Sequence, residues 1–306
     1  MKILFFTQYF FPENFRINEL VDFFSRKKNK SIVLTTYPSY PNKNLYKKNY
    51  KNIYKNLEII RVPSIRRSKS NLSIILNYTS FILSSFFIGI FKIFKRKFDK
   101  IFIFSPSPIL SALSAILINK IFKKKVVLWV LDLWPNTIVD LGLIKNKYIK
   151  KLLYLIVIYI YKNSDLILAQ SYSMKKEIQR LSNTKCMYFP SWPEQNIFKN
   201  KNKYLQKINN IKKNNQKILF AGNIGEAQSL ETLVKCVFRM KNLHNLKFIL
   251  IGDGRWKSRI EKMVNKLNLQ KKFIFVKQVP KESIGFFFRK ADALYLSLKN
   301  NKTFAK

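Results

Sequence analysis

Short apolar runs alternate with longer amphipathic stretches along nearly the whole chain. Runs at 2–7 (KILFFT), 31–36 (SIVLTT), 57–62 (LEIIRV), 100–104 (KIFIF), 125–130 (KVVLWV) and 165–169 (DLILA) predict strands, and the stretches near 14–28, 72–95, 108–122, 147–163 and 172–181 predict helices. Strands that are apolar on both faces and separated by helices predict a parallel sheet covered on both sides. The pattern pauses at 189–217, FPSWPEQNIFKNKNKYLQKINNIKKNNQK, a polar stretch with two prolines and no clear period that reads as a linker. It then restarts with strands at 217–221, 246–251, 272–276 and 292–297 and helices at 228–241, 256–267 and 281–290. The expected fold class is therefore α/β with two domains: 1–190, a linker at 191–216, and 217–306. Two such units place a cleft between them, where small-ligand sites concentrate.

One segment departs from the soluble pattern. Residues 71–91, NLSIILNYTSFILSSFFIGIF, carry no charge and are about long enough to span a bilayer. Asn77, Thr79, Ser80, Ser84 and Ser85 interrupt the run, and a strand follows within a β-α-β pattern. A partly exposed helix lying on the sheet is the favoured reading over a span. Flanked by RRSK and KIFKRKFDK, it could rest on a membrane surface with Lys and Arg on anionic headgroups, and 148–164, YIKKLLYLIVIYIYKNS, is a second candidate contact. The N-terminus, MKILFFTQYFFPEN, meets Pro12 and Glu13 where a signal peptide would have a small-residue cleavage site, so it reads as a buried first strand.

In open parallel sheets ligands bind beyond the carboxyl ends of the strands. Four loops leave such ends: QYFFPENFRINEL with Glu13, Asn14 and Arg16; LDLWPN with Asp132 and Trp134; GNIGEAQ with Gly222, Asn223 and Gly225; and GDGRWK with Gly252, Asp253, Gly254 and Arg255. A glycine loop between a strand and a helix points backbone N–H groups at whatever lies in front of it, which suits an anion. Each loop taken alone has a bland reading as a helix cap or tight turn. Their coincidence at strand ends in both halves argues for chemistry. No G-x-G-x-x-G follows the first strand, which disfavours a nicotinamide enzyme, and no G-x-x-x-x-G-K-[ST] occurs, so a P-loop is absent.

Charge and cysteine usage narrow the picture further. The 58 Lys and Arg against 16 Asp and Glu give +42, a surface that attracts polyanions. Heavy use of Lys, Asn, Ile and Phe is also what coding biased toward A and T produces, so much of that charge is read as a solvated face. The basic residues are spread along the chain and no DNA- or RNA-binding module is found, which disfavours nucleic acid as a partner. Two cysteines and one histidine, His244, leave no disulfide framework, no metal-ligand cluster and no nucleophile-histidine pair.

The stretches QYFFPENFRINEL, LWVLDLWPN, DLILAQS, FAGNIGEAQSLETL, IGDGRWK and ADALYLSLK, in this order and spacing, resemble the bacterial family 4 glycosyltransferases of O-antigen and capsule synthesis. The resemblance runs from Met1 to about Ala305. It implies a GT-B fold of two Rossmann-like domains, the first for the acceptor and the second for a nucleotide-sugar donor. It implies retaining, metal-independent transfer without a cofactor, from a UDP-linked sugar to a lipid-linked glycan, at the cytoplasmic face of the membrane and peripheral to an anionic surface. Gly222, Asn223 and Gly225 would meet the diphosphate through backbone N–H groups, Gly252, Asp253 and Gly254 would shape the nucleotide pocket, and Glu13 and Asn14 would face the sugar or acceptor.

Three departures from the family pattern stand out. Many members have His-Asp where this chain has Leu131-Asp132, leaving Asp132, with Glu13, as the catalytic candidate. Many carry a basic pair after the glycine loop, whereas no Arg or Lys occurs here before Lys235, leaving Arg16 or Arg255 to neutralise the diphosphate. The family continues into a P-[SG]-K-[IL] loop and further helices that have no counterpart before Lys306, so the second domain is expected to be incomplete. The alternative expectation is an inactive fragment of such an enzyme from an interrupted gene.

Overall fold

The computed structural model describes residues 1–27, 30–39, 56–66, 71–140, 144, 146–192, 211, 214–240 and 242–300. Most of the expected linker, the 67–70 part of the basic flank before the apolar helix, and residues 301–306 lie outside them. The chain divides into two compact units, Met1–Ser191 and Trp192–Ala305.

The first unit runs β1 (Ile3–Phe6), α1 (Arg16–Arg26), β2 (Ser31–Thr36), β3 (Leu57–Val62), α2 (Asn71–Phe94), β4 (Lys100–Ser105), α3 (Ala112–Phe122), β5 (Lys125–Val130), α4 (Asn136–Asp140), α5 (Lys147–Lys162), β6 (Leu166–Ala169), α6 (Tyr172–Ser182) and β7 (Cys186–Tyr188). Its sheet has the order β3-β2-β1-β4-β5-β6-β7, parallel throughout. Every residue of β1 and β2 is buried, as a run apolar on both faces requires. One extended core joins Leu4, Phe6 and Leu34 of the sheet to Phe81, Ile116, Ile160 and Ile178 of α2, α3, α5 and α6.

Helix ends follow local chemistry. Asn146 caps α5 by accepting from the N–H groups of Tyr148 and Ile149, and Ser171 caps α6 by accepting from Met174 N–H. Two elements escaped the sequence pattern, β7 and α4, because three and five residues are too few to show a period.

The second unit runs β8 (Gln216–Ala221), a 3-10 turn (Glu226–Gln228), α7 (Leu230–Arg239), β9 (Leu246–Ile251), α8 (Lys257–Lys266), β10 (Phe273–Val276), α9 (Lys281–Lys290) and β11 (Ala293–Leu294). The parallel sheet has the order β10-β9-β8-β11. One face packs Phe220, Phe248 and Leu250 against α7 and α8, and the other packs Leu219, Ile249 and Ile251 against Phe287 of α9. The strand expected at 292–297 shrinks to two paired residues. Leu294, Leu296 and Leu298 are 61%, 83% and 49% exposed, so among the described residues nothing covers these three side chains, whereas Tyr295 between them packs on the core under α7 and α8.

Candidate functional site

Both sheets have a point where the chain reverses the direction in which it adds strands: between β1 and β4 in the first, and between β8 and β11 in the second. Loops leaving the carboxyl ends of strands diverge at such points and open a crevice. All the loops singled out in the sequence sit at this edge of their own sheet.

In the first unit the loop after β1 is held rigidly. The Gln8 carbonyl accepts from Thr36 N–H and from the hydroxyls of Thr35 and Thr36. Arg61 donates to the carbonyls of Thr36 (2.6 Å) and Phe11 (2.7 Å), tying the loops after β1 and β2 together. Glu13 is 1% exposed, and its Oε1 accepts from Ser39 N–H at 2.8 Å. Glu13, expected to face the sugar or acceptor, lies below the surface here, and its carboxylate joins the loops after β1 and β2 through the Ser39 N–H. It does not cap α1 either, whose N-cap is Phe15. Asn14 is exposed beside it. Arg16 is in the first turn of α1, 3.7 Å from the Glu19 carboxylate on the same helix.

Asp132 lies half-buried in the loop after β5. Ser107, from the loop after β4, accepts from the Trp134 indole N–H at 3.0 Å and bonds to the Asp132 carboxylate. Burial pushes the Asp132 carboxyl above its ordinary value, and the Ser107 hydrogen bond opposes the shift without cancelling it. The Trp134-Ser107-Asp132 chain thus presents an oriented acid at the carboxyl edge. Ser107 is a residue that the sequence reading missed, since only the pairing of β4 with β5 brings it to Asp132.

In the second unit the two glycine loops are stitched to each other. Ile224 N–H donates to the Asp253 carbonyl at 2.8 Å, Trp256 N–H donates to the Ile224 carbonyl at 3.0 Å, and Gly222 N–H donates to the Ile251 carbonyl at 3.0 Å. Gly252 and Gly254 have φ of +145° and +157°, and a Cβ on them would lie 1.9 Å from Gly222 O and 2.3 Å from Ile224 O. Both glycines are therefore required by backbone-to-backbone packing of the two loops. The donor roles expected of Gly222 and Gly225 need correcting: Gly222 N–H is spent on Ile251, and Gly225 N–H donates to the Gln228 side chain at 3.2 Å. Loop closure takes these groups because a short strand-to-turn connection must satisfy its own backbone first. The loop also leads into a 3-10 turn, not directly into α7. Asn223 stands exposed at its tip, and Asp253 is exposed with its Oδ1 accepting from Gly254 N–H.

Basic residues flank the two glycine loops. Lys257 Nζ donates to the Gly252 carbonyl at 3.3 Å. Lys299, beyond β11, donates through its backbone to Ala227 O and pairs through Nζ with Glu226 at 2.7 Å. Arg255 is exposed in the turn after Gly254. Lys299 supplies a cation beside the glycine loop that the sequence order had hidden, because it returns from 73 residues away. Among the described residues no group of three or more His, Cys, Asp or Glu is placed to hold a metal ion.

Comparison with known proteins places these loops in context. The family described as Glycosyl transferases group 1 matches residues 201–305. The chain is 31% identical over 170 residues to the glycosyltransferase MJ1059 of Methanocaldococcus jannaschii, which covers 52% of this chain and 40% of that protein. It is 27% identical over 288 residues to WcaI of Escherichia coli K12, named as a colanic acid biosynthesis glycosyl transferase, covering 88% of this chain and 70% of the relative. The chain thus spans well under half of the first relative's length and 70% of the second's. Among solved structures, HepE of Anabaena in complex with UDP superposes with a TM-score of 0.62 at 12% identity, over 96% of this chain and 73% of that one. The shared architecture is α/β with two Rossmann-like units, the GT-B fold.

Proposed function

We propose that the chain transfers a sugar from a nucleoside-diphosphate donor, UDP-linked, to a lipid-linked glycan acceptor in the synthesis of a cell-surface polysaccharide, with retention and without a metal ion. The observation that carries this reading is the pair of interlocked glycine loops at the reversal point of the second sheet, inside the segment matched by the group 1 glycosyl transferases. The names of WcaI and of the UDP complex of HepE support the acceptor pathway and the donor.

The chemistry asked of the site is breaking the bond between the sugar C1 and the diphosphate oxygen while the acceptor hydroxyl oxygen bonds to C1 on the same face and its proton passes to the leaving diphosphate oxygen. Negative charge grows on the leaving diphosphate, and fixed positive groups stabilise it most where they need not reorganise. Lys257 at the Gly252 carbonyl, Lys299 at Glu226 and Arg255 after Gly254 flank the two glycine loops and are assigned that role, replacing the Gly222 and Gly225 N–H groups that the fold uses itself. Arg16, paired with Glu19 on α1, remains the candidate cation of the first unit. Asp132, held by Ser107, is the group suited to accept a hydrogen bond from a sugar or acceptor hydroxyl. Glu13 acts as a positioning residue for the loop after β1.

Titration with UDP by calorimetry, followed by transfer of radiolabelled sugar from UDP-sugars to membrane lipid extracts, tests the proposal. The double variant Lys257→Ala, Lys299→Ala should weaken UDP binding by at least tenfold with the fold intact. Unchanged UDP affinity would remove this loop pair from the donor site. Inversion at C1 in the product, read by NMR, would refute retention, and loss of transfer in a chelator would refute metal independence.

A further inference from the structure

We propose that the outer edge of β3 is a docking strand for an extended, acidic segment of a partner protein, which adds beside it as a further strand of the first sheet. The proposal stands apart from the transferase reading, because this edge is the flank of the sheet and the loops assigned to chemistry leave its carboxyl ends.

Strand β3 closes one end of the sheet order, and among the described residues no strand pairs its outer side. Ser31 N–H donates to the Asn56 carbonyl at 3.0 Å with Ser31 opposite Leu57, which sets the phase of the parallel ladder. Glu58, Ile60 and Val62 therefore turn their N–H and C=O groups toward β2, and Ile59 and Arg61 turn theirs outward. Lys92 of α2 donates to the Arg61 carbonyl at 2.8 Å, as that phase requires. Ile60 and Val62 join the core with Phe81 of α2, so the strand is anchored on its inner side whatever meets its edge.

A cleft of about 460 Å³ follows this edge, lined by the four consecutive strand residues 58–61 with Tyr37, Lys92 and Arg96. Successive side chains of a strand leave on opposite faces, so four in a row line one cleft only where it wraps the edge. At about 3.3 Å per residue they span roughly 13 Å, the length of a short strand. Main-chain hydrogen bonding along such an edge is specific to a polypeptide, which carries N–H and C=O groups at the matching repeat.

Charge selects the segment. Arg61, Lys92 and Arg96 line the cleft against one carboxylate, Glu58, which Arg96 already engages at 2.6 Å. Bonds to the Thr36 and Phe11 carbonyls hold the Arg61 guanidinium in place, and Lys92 is exposed. Tyr37, 56% exposed, offers a ring to an apolar side chain. Acidic residues alternating with apolar ones match this lining. Residues 40–55, which connect β2 to β3, have five lysines and no Asp or Glu, so this chain's own connector has the wrong charge. A second copy also fits poorly, since pairing β3 with β3 about a two-fold axis brings Lys92 and Arg96 of both copies together on chains of net charge +42.

The probe is a fluorescein-labelled peptide of four Glu-Val repeats, read by anisotropy with the purified chain. It should bind roughly tenfold tighter than the same peptide with every second backbone nitrogen methylated, and tighter than a Lys-Val peptide, with affinity falling as salt rises. Ile59→Pro removes an outward N–H and spares the ladder to β2, so peptide affinity should fall roughly tenfold with thermal unfolding and UDP affinity unchanged. Lys92→Ala should also weaken the peptide. Equal binding of the methylated peptide, or no effect of Ile59→Pro, would overturn the proposal. A gain in affinity with Lys92→Ala, as for a lysine that only guards the edge, would do so too. The same holds for equal losses of oligodeoxythymidylate binding in both variants, the sign of a site for polyanions at large, and for a dimer by light scattering that Ile59→Pro dissolves while the peptide does not bind. If Ile59→Pro unfolds, the methylated peptide and Lys92→Ala decide the matter.

Discussion

Replacing Gly252 by alanine would put a methyl carbon 1.9 Å from the carbonyl oxygen of Gly222 on a residue whose φ is +145°. The neighbour is backbone, so relief needs the two loops to part by roughly 1.5 Å to reach ordinary contact. That movement strips the Gly222-to-Ile251 and Ile224-to-Asp253 hydrogen bonds that join β8 and β9 at their carboxyl ends. Left-handed strain of about 1–3 kcal/mol and two hydrogen bonds at about 1 kcal/mol each give a cost of about 3–5 kcal/mol, a large part of ordinary domain stability. Gly222→Ala is the matched control. Its Cβ would meet only the edge of the Phe220 ring at 3.4 Å, and a cost below about 1 kcal/mol is expected. Hydrogen exchange read by mass spectrometry on peptides spanning β8 to β10 should show protection falling by roughly a hundredfold or more for Gly252→Ala and little change for Gly222→Ala. UDP binding should vanish with the first. Protection within threefold of the parent in Gly252→Ala, or equal losses in both variants, would refute the packing argument.

Three further outcomes are expected. Gly225→Val should fold, because its φ is −119° and a Cβ there meets only the Asn223 and Gln228 side chains, yet it should abolish UDP binding by blocking the loop tip; unaltered calorimetry would exclude the tip from the site. The raised Asp132 pKa means the fold favours the protonated acid, so its contribution to stability is present at acid pH and is lost as pH rises through the folded pKa; Asp132→Asn should gain melting temperature over the parent with rising pH while losing transfer, and the opposite trend would show a stabilised carboxylate. Asn77→Ala removes the partner of Gln8 Nε2 and of the Ile65 carbonyl in a buried setting and should cost about 2–3 kcal/mol in urea unfolding of the first unit; a loss under about 0.5 kcal/mol would show that α2 is not held by this contact.

Much of the architecture was legible in the chain because its cause is local. Strands buried on both faces read as continuous apolar runs, and β2, β5 and β9 appear at the residues expected. Glycine loops at strand ends likewise stand out, since backbone geometry restricts which residue fits. The sequence by itself thus determined the α/β class, the parallel alternation and the edge at which polar loops collect. Tertiary structure alone decided what those loops do. Glu13 reads as a ligand group in order, but the pairing of β1 with β2 brings Ser39 to it and takes it below the surface. The glycine N–H groups read as anion donors in order, but Gly222 finds the Ile251 carbonyl across the β8–β9 pairing and Gly225 finds the Gln228 side chain. Ser107 and Lys299 were invisible because each meets its partner through a strand neighbour far away in sequence. The apolar run in α2 shows the same division: its composition fixes a helix, whereas only the buried stripe of Asn77, Phe81, Ser85, Gly89 and Ile93 tells which side faces the sheet and which is left bare. Side-chain periodicity is set by neighbours within a turn or two of chain, while hydrogen-bond partners across a sheet are set by strand order, which no local pattern encodes.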